Sequence, residues 1–124
     1  MGGITYNDGK LYAVAWDEGI KVIDLDGNII KTIRIYSDVW NTWNVTTQND
    51  KIYYSVTRSV HCVDMESTEI LRCRDDRLKS SVLSSPAIAV DNYGITFAAG
   101  YDNNLLLAIS PDGKQQKVLL TSSD

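Results

Sequence analysis

The chain has 124 residues, the size of one ordinary domain, with 12 Lys+Arg against 16 Asp+Glu and a formal charge of -4. Hydrophobic residues make up 44% and charged ones 23%, which excludes disordered and collagen-like sequence. One His and two Cys exclude dense zinc clusters and disulfide scaffolds, and no apolar run is long enough for a membrane-spanning helix.

In chain order, the first elements are four short strands at about 3–6, 10–16, 20–25 and 29–35. They are separated by Asn7-Asp8-Gly9, Asp17-Glu18-Gly19 and Asp26-Gly27-Asn28. Asp-Gly and Asn-rich pairs supply the positive φ that tight hairpin turns demand, and Val, Ile, Thr and Tyr crowd the intervening runs. A second set follows at 43–48, 51–57, 60–65 and 69–74, and a third at 87–91, 95–100, 105–110 and 114–121.

The three sets are copies of one unit. Asn7-Asp8-Gly9-Lys10-Leu11-Tyr12 aligns with Gln48-Asn49-Asp50-Lys51-Ile52-Tyr53 and with Asn92-Tyr93-Gly94-Ile95-Thr96-Phe97. The aromatics Tyr12, Tyr53 and Phe97 recur at offsets of 41 and 44 residues, and Ile23, Val63 and Ile109 at 40 and 46. Four antiparallel strands at this period are the signature of β-propeller blades. Blades packed on both faces also account for continuous apolar runs such as Leu11-Tyr12-Ala13-Val14-Ala15-Trp16, where a half-wet sheet would alternate. The expectation is an all-β partial propeller of three four-stranded blades at about 3–35, 43–75 and 86–121, with a meander sandwich as the competing architecture.

Ser85-Pro86-Ala87-Ile88-Ala89-Val90-Asp91-Asn92-Tyr93-Gly94, with Phe97-Ala98-Ala99-Gly100 after it, resembles the NHL-type repeat. Gly3-Ile4-Thr5 with Gly9-Lys10-Leu11-Tyr12 is a second partial match. Ala87 departs from the repeat's Gly, Ile95 from its Asn, and Asp50 from the Gly of the turn. The whole chain is similar to the C-terminal propeller of tripartite-motif proteins, whose RING, B-box and coiled-coil segments are not present here. The resemblance implies an interaction module of a larger ubiquitin-ligase-like or RNA-regulatory protein, and it carries no catalytic or ligand residue onto a position of this chain.

Candidate chemistry is sparse. His61 and Cys62 are neighbours in a strand and point to opposite faces, so they do not readily share a metal. Cys73 is placed across the hairpin from Cys62, and two reduced packing thiols are expected over a bridge. Asp24-Leu25-Asp26-Gly27-Asn28 has the look of part of a calcium loop. Its counterparts at Asp64-Met65-Glu66-Ser67 and Ser110-Pro111-Asp112-Gly113 read as repeated hairpin turns instead. A nucleophilic triad would have to use His61, and no nucleophile elbow precedes it. Arg72, Arg74, Arg77 and Lys79 form a basic cluster that Asp75 and Asp76 interrupt, and a charge of -4 gives no footprint for nucleic acid.

In a propeller, the loops between middle strands share one face with the loops between blades. That face would collect Asp17, Glu18, Trp40, Arg58, Tyr101 and Asp102. Aromatic and Arg side chains on loops are typical partner anchors, so these six are the candidate partner-binding residues. Trp40 and Trp43 have a plainer alternative use, as plugs between blades.

The expected function is a non-catalytic, cytoplasmic protein-interaction module that uses no cofactor or metal and recruits a protein or peptide ligand. Neither nucleic acid nor membrane is expected as a partner. Three blades leave two apolar faces open, which a homodimer completing a ring would cover. The alternatives are a metal-dependent hydrolase of the six-bladed propeller type and an RNA-binding NHL propeller.

Overall fold

The structure is a computed structural model that describes residues 3–15, 18–35, 44–56, 58–78, 86–100 and 104–121. It contains three four-stranded antiparallel sheets, each with its strands in simple sequential order. The first sheet is β1 (Ile4–Asn7), β2 (Lys10–Ala15), β3 (Gly19–Asp24) and β4 (Ile29–Ile33). The second is β5 (Asn44–Gln48), β6 (Lys51–Val56), β7 (Ser59–Asp64) and β8 (Glu69–Arg74). The third is β9 (Ala87–Val90), β10 (Thr96–Ala99), β11 (Leu106–Ile109) and β12 (Gln116–Leu120). This is a three-bladed partial β-propeller.

Turn chemistry sets the hairpins. Asp8 and Gly9 have φ of 49° and 78°, and Asn49 and Asp50 have φ of 52° and 61°, the left-handed pairs that match strand twist in two-residue loops. The turns after β3 and β7 share another design. Asp24 Oδ1 accepts from the Asp26 and Asn28 backbone N–H groups at 3.0 and 2.8 Å, and Asp64 Oδ1 from Glu66 and Thr68 at 2.9 Å each. Asp91 does the same after β9, accepting from Tyr93 and Ile95 at 2.8 and 3.0 Å. After β11, Ser110 stands in for the aspartate, its Oγ accepting from the Gln115 N–H at 3.0 Å. The segment that looked like a calcium loop is therefore a side-chain-braced turn.

Strand pairing confirms the equivalence of the units. Leu11 faces Ile23, Ile52 faces Val63, and Thr96 faces Ile109 across the central strands of the three blades. Each sheet thus has a leading face toward the next blade and a trailing face toward the previous one. Tyr12, Val14, Ile20, Val22 and Ile33 on the leading face of the first blade pack against Val45, Ile52, Tyr54 and Val63 on the trailing face of the second. Tyr53, Val60, Cys62, Leu71 and Cys73 on its leading face pack against Ala98, Leu107 and Ile109 of the third. The second blade is apolar on both faces because it is covered on both, as its run Ile52–Ser55 anticipates.

Polar groups lock the second joint. Ser55 Oγ and Asn44 Nδ2 both donate to the Pro86 carbonyl, at 2.6 and 3.0 Å, which fixes where the third blade begins. Cys73 Sγ donates to Gln116 Oε1 at 3.1 Å, and Gln116 Nε2 donates to Asp75 Oδ2 at 3.1 Å. A short 3-10 turn at Asp76–Leu78, not expected from the sequence, follows β8 and buries Leu78 in the second core. Among the described residues, no helix is long and apolar enough to cross a membrane.

Candidate functional site

Two of the six candidate partner residues lie in the described part of the chain. Glu18 and Arg58 occupy equivalent turns, just before β3 and β7, and so share one end of the propeller. Both are exposed. Glu18 holds the Lys21 ammonium at 2.6 Å, and the Arg58 carbonyl accepts from the Asp75 N–H at 3.0 Å, which ties this turn to the start of the connector toward the third blade. Asp17, Trp40, Tyr101 and Asp102 fall outside the described residues, as do Trp43 and Lys79.

The best-built polar constellation surrounds His61. Ser59 and His61 are two apart in β7 and share the trailing face of the second blade; Arg72 lies directly across from His61 in β8. His61 Nε2 meets Ser59 Oγ at 2.7 Å and Nδ1 meets Glu69 Oε1 at 3.0 Å. Arg72 donates to both oxygens of Glu69, from Nε at 3.1 Å and from a terminal nitrogen at 2.8 Å. The imidazole stacks on Tyr54, with ring centroids 5.0 Å apart and planes 9° from parallel. Burial holds the His61 pKa below its ordinary value despite the Glu69 carboxylate, so the ring is neutral. Burial pushes Glu69 up, but its hydrogen bonds to Arg72 and His61 outweigh this and hold it below the usual carboxylate range.

A neutral ring with Nδ1–H donating to Glu69 accepts the Ser59 hydroxyl proton at Nε2, the order of groups in a nucleophilic relay. The surroundings are not those of one. Ser59 is 9% exposed and is strand-paired on both sides, with Val56 and with Arg74. Its backbone neighbourhood is thereby committed to ladders, where acyl transfer needs free N–H donors aimed at a developing oxyanion. The chain of bonds satisfies a buried histidine. Sequence reasoning placed His61 and Cys62 on opposite faces correctly but missed Ser59, Tyr54, Glu69 and Arg72 around the ring. The alternation of Ser59 with His61 and the hairpin register were the available signals.

The cysteines are free and buried. Cys73 pairs with Val60 and Cys62 with Leu71, so they share a face but sit two pairs apart along the hairpin, not directly across it as expected. Burial pushes the Cys62 thiol up to about 11, and also raises Cys73. These are inert packing thiols. Among the described residues, no group of three or more His, Cys, Asp or Glu side chains is placed to hold a metal ion.

The opposite end of the propeller carries the turns after β1, β3, β5, β7, β9 and β11. A polar cavity of about 550 Å³ lies there between the first hairpins of blades one and two, lined by Asn7, Asp8, Tyr12, Gln48 and Asp50 among others. Tyr93, at the tip of the turn after β9, is 83% exposed, an aromatic that sequence reasoning did not single out as a contact.

No family model matches the chain, and no curated protein does either. Among solved structures it is similar to the computationally designed Ika8 protein, with a TM-score of 0.65 at 13% identity, covering 95% of this chain and 35% of that one. It also aligns with the extracellular domain of the B. thetaiotaomicron hybrid two-component system BT3049, with a TM-score of 0.47 at 15% identity, covering 97% of this chain and 22% of that one. This chain therefore spans about a third of the first and about a fifth of the second. The likeness to Ika8 concerns the fold alone.

Proposed function

We propose that the chain is a non-catalytic protein-interaction module, working in the cytoplasm, whose partner docks on the end of the propeller that bears Glu18 and Arg58. The resemblance to NHL-type repeats makes a tripartite-motif-like parent the natural setting. The observation that carries the choice of end is how the two sets of turns spend their polar groups. At the opposite end, Asp24, Asp64, Asp91 and Ser110 are consumed in bracing their own backbone. Among the described residues, no hydrogen bond from the Glu18 or Arg58 side chain braces its own turn, and the Glu18 carboxylate pairs with Lys21 at 2.6 Å.

The RNA alternative draws on a basic cluster whose described members are engaged with acids. Arg72 pairs with Glu69 at 2.8 Å, Arg74 with Asp76 at 3.4 Å, and Arg77 with Asp75 at 2.6 Å. Cations already neutralised by neighbours release fewer counterions on meeting phosphate. The two buried thiols suit a reducing compartment.

The test is selection of a displayed peptide library on the immobilised chain, followed by binding to variants. The selected peptides should lose at least tenfold in affinity for Arg58→Ala and Trp40→Ala, and bind Tyr93→Ala as before. Loss on Tyr93→Ala with Arg58→Ala unaffected would move the binding surface to the opposite end. Ester hydrolysis abolished by a chelator would replace the reading with the hydrolase alternative.

A further inference from the structure

The cavity between the first hairpins of blades one and two has a buried floor and a charged rim. Tyr12 is the floor: its ring belongs to the first core and is only 7% exposed, so the hydroxyl end is what meets the cavity. Among the described residues, that hydroxyl has no hydrogen-bond partner. Asp8 and Asp50 form the rim, both exposed and, among the described residues, in no ion pair. Burial, and after it the charges of Asp50 and Asp8, push the Tyr12 phenol above its ordinary 10, so both carboxylates act on the hydroxyl. Neither carboxylate is taken up by its own turn, as those of Asp24, Asp64 and Asp91 are.

The second joint shows that the repeat does not require this opening. There Tyr53 holds the place of Tyr12. Across the strand pair it meets Cys62, whose thiol reaches its hydroxyl, whereas Tyr12 meets the apolar Val22. From the next blade Gly94 closes over Tyr53, and a Cβ at that glycine would stand 3.8 Å from the Tyr53 hydroxyl. In the repeat, Asp50 holds the place of Gly94. Gln48 Nε2 also donates to Asn92 Oδ1 at 3.4 Å, linking the turns of blades two and three. Among the described residues, Asn7 and Gln48 make no such bond across the first joint, and both line the cavity. One place in the fold is thus closed at the second joint and open and acidic at the first.

We infer that this cavity is a binding site for one guanidinium group, which donates to the carboxylates of Asp8 and Asp50 and to the Tyr12 hydroxyl oxygen. Charge sets the valence. Lys10 also lines the cavity, so against two carboxylates one negative charge remains for a monovalent cation. Size excludes a bare ion, because about 550 Å³ falls among small-molecule sites of about 300–1,000 Å³. Donor number selects guanidinium over ammonium: the acceptors are spread over two blades, and a planar fork of five N–H groups reaches them together. Bonds to carboxylates are charge-assisted, and the Tyr12 oxygen gains the partner it lacks. The group arrives either on a small molecule or as an arginine side chain of a peptide. This site lies at the end opposite Glu18 and Arg58, so it stands apart from the proposed partner surface.

The experiment is a titration of the isotope-labelled chain at constant ionic strength, read by amide chemical shifts. The probes are ethylguanidinium chloride and N-acetyl-arginine amide, with the neutral N-acetyl-citrulline amide and calcium chloride as controls. Saturating shifts at Asp8, Tyr12 and Asp50 are expected with the guanidinium probes and not with the controls. Tighter binding of the arginine amide assigns the site to a peptide, and tighter binding of ethylguanidinium to a free small molecule. Asp50→Gly should weaken binding by about tenfold or more while its urea midpoint does not fall, which separates binding from folding. Tyr12→Phe, which keeps the ring, should weaken it by about threefold to tenfold. Saturation by neither guanidinium probe, equal binding of the citrulline amide, displacement by equimolar calcium, or unchanged affinity in Asp50→Gly would overturn the proposal.

Discussion

Ser67 Oγ accepts a hydrogen bond from the Arg34 backbone N–H at 3.0 Å, tying the β7–β8 turn of the second blade to the chain leaving β4 of the first. Ser67 makes this bond from a strained backbone, with φ of 68°, at the position where Gly27 and Gly113 stand in the other blades. Two opposed terms therefore meet in one residue. Ser67→Ala keeps the strain and loses the bond, and should cost about 1 kcal/mol. Ser67→Gly loses the bond but relieves the strain, and should come out near neutral. Urea midpoints that rank Ala above Gly would refute the assignment.

Asp50 presents the strain without the compensation. Its φ of 61° matches the position that Gly9 fills in the first blade. Asp50→Gly should raise stability by about 0.5–1 kcal/mol, read as a higher urea midpoint with an unchanged slope.

Thr96 is fully buried and its hydroxyl meets no hydrogen-bond partner among the described residues. Leu11 and Ile52 hold this position in the other blades, so nothing in the repeat asks for a polar group there. Thr96→Val preserves the shape and removes the orphaned oxygen. A gain of about 1–2 kcal/mol in equilibrium unfolding is expected.

The His61 network makes stability pH-dependent in a stated direction. Burial sets the His61 pKa in the folded chain below its ordinary 6.5, so between those two values the unfolded chain binds more protons. The stabilisation from the neutral ring is complete above about 6.5 and is lost as the pH falls toward the folded value. Glu69, also lowered, adds a further loss below its ordinary 4.5. Unfolding midpoints measured from pH 8 down to 5 should fall, and His61→Gln should flatten the part of the curve near 6. The same variant should cost about 1–3 kcal/mol at neutral pH, because Ser59 and Glu69 lose their partner.

The repeat was legible in the sequence because its turns have fixed chemistry. Asp-Gly pairs and the spacing of Tyr12, Tyr53 and Phe97 located all twelve strands, with ends displaced by one or two residues. The recurrence of Asp24 at Asp64 and Ser110 marked this segment as a hairpin turn, and the backbone of that turn takes up its carboxylate. What could not be read was anything that depends on two blades meeting. The Ser55 bond to Pro86, the Cys73 bond to Gln116 and the choice of Leu78 as a core residue join positions far apart in sequence. The network around His61 needed the register of the second hairpin, including its irregularity between Cys62 and Val63, which brings Glu69 to the imidazole.

The placement of one hydrophobic cluster on each side of the second blade has a consequence for how the molecule opens. The outer blades each depend on a single cluster, whereas β6 and β7 belong to both. In a chain of nearest-neighbour units, losing either end leaves the middle one with half its support, and losing the middle one leaves nothing. Amide protons of β6 and β7 should accordingly exchange last, through complete unfolding, while those of β4 and β12 escape through partial openings that cost less. The centre of the array is its keystone in time as well as in space.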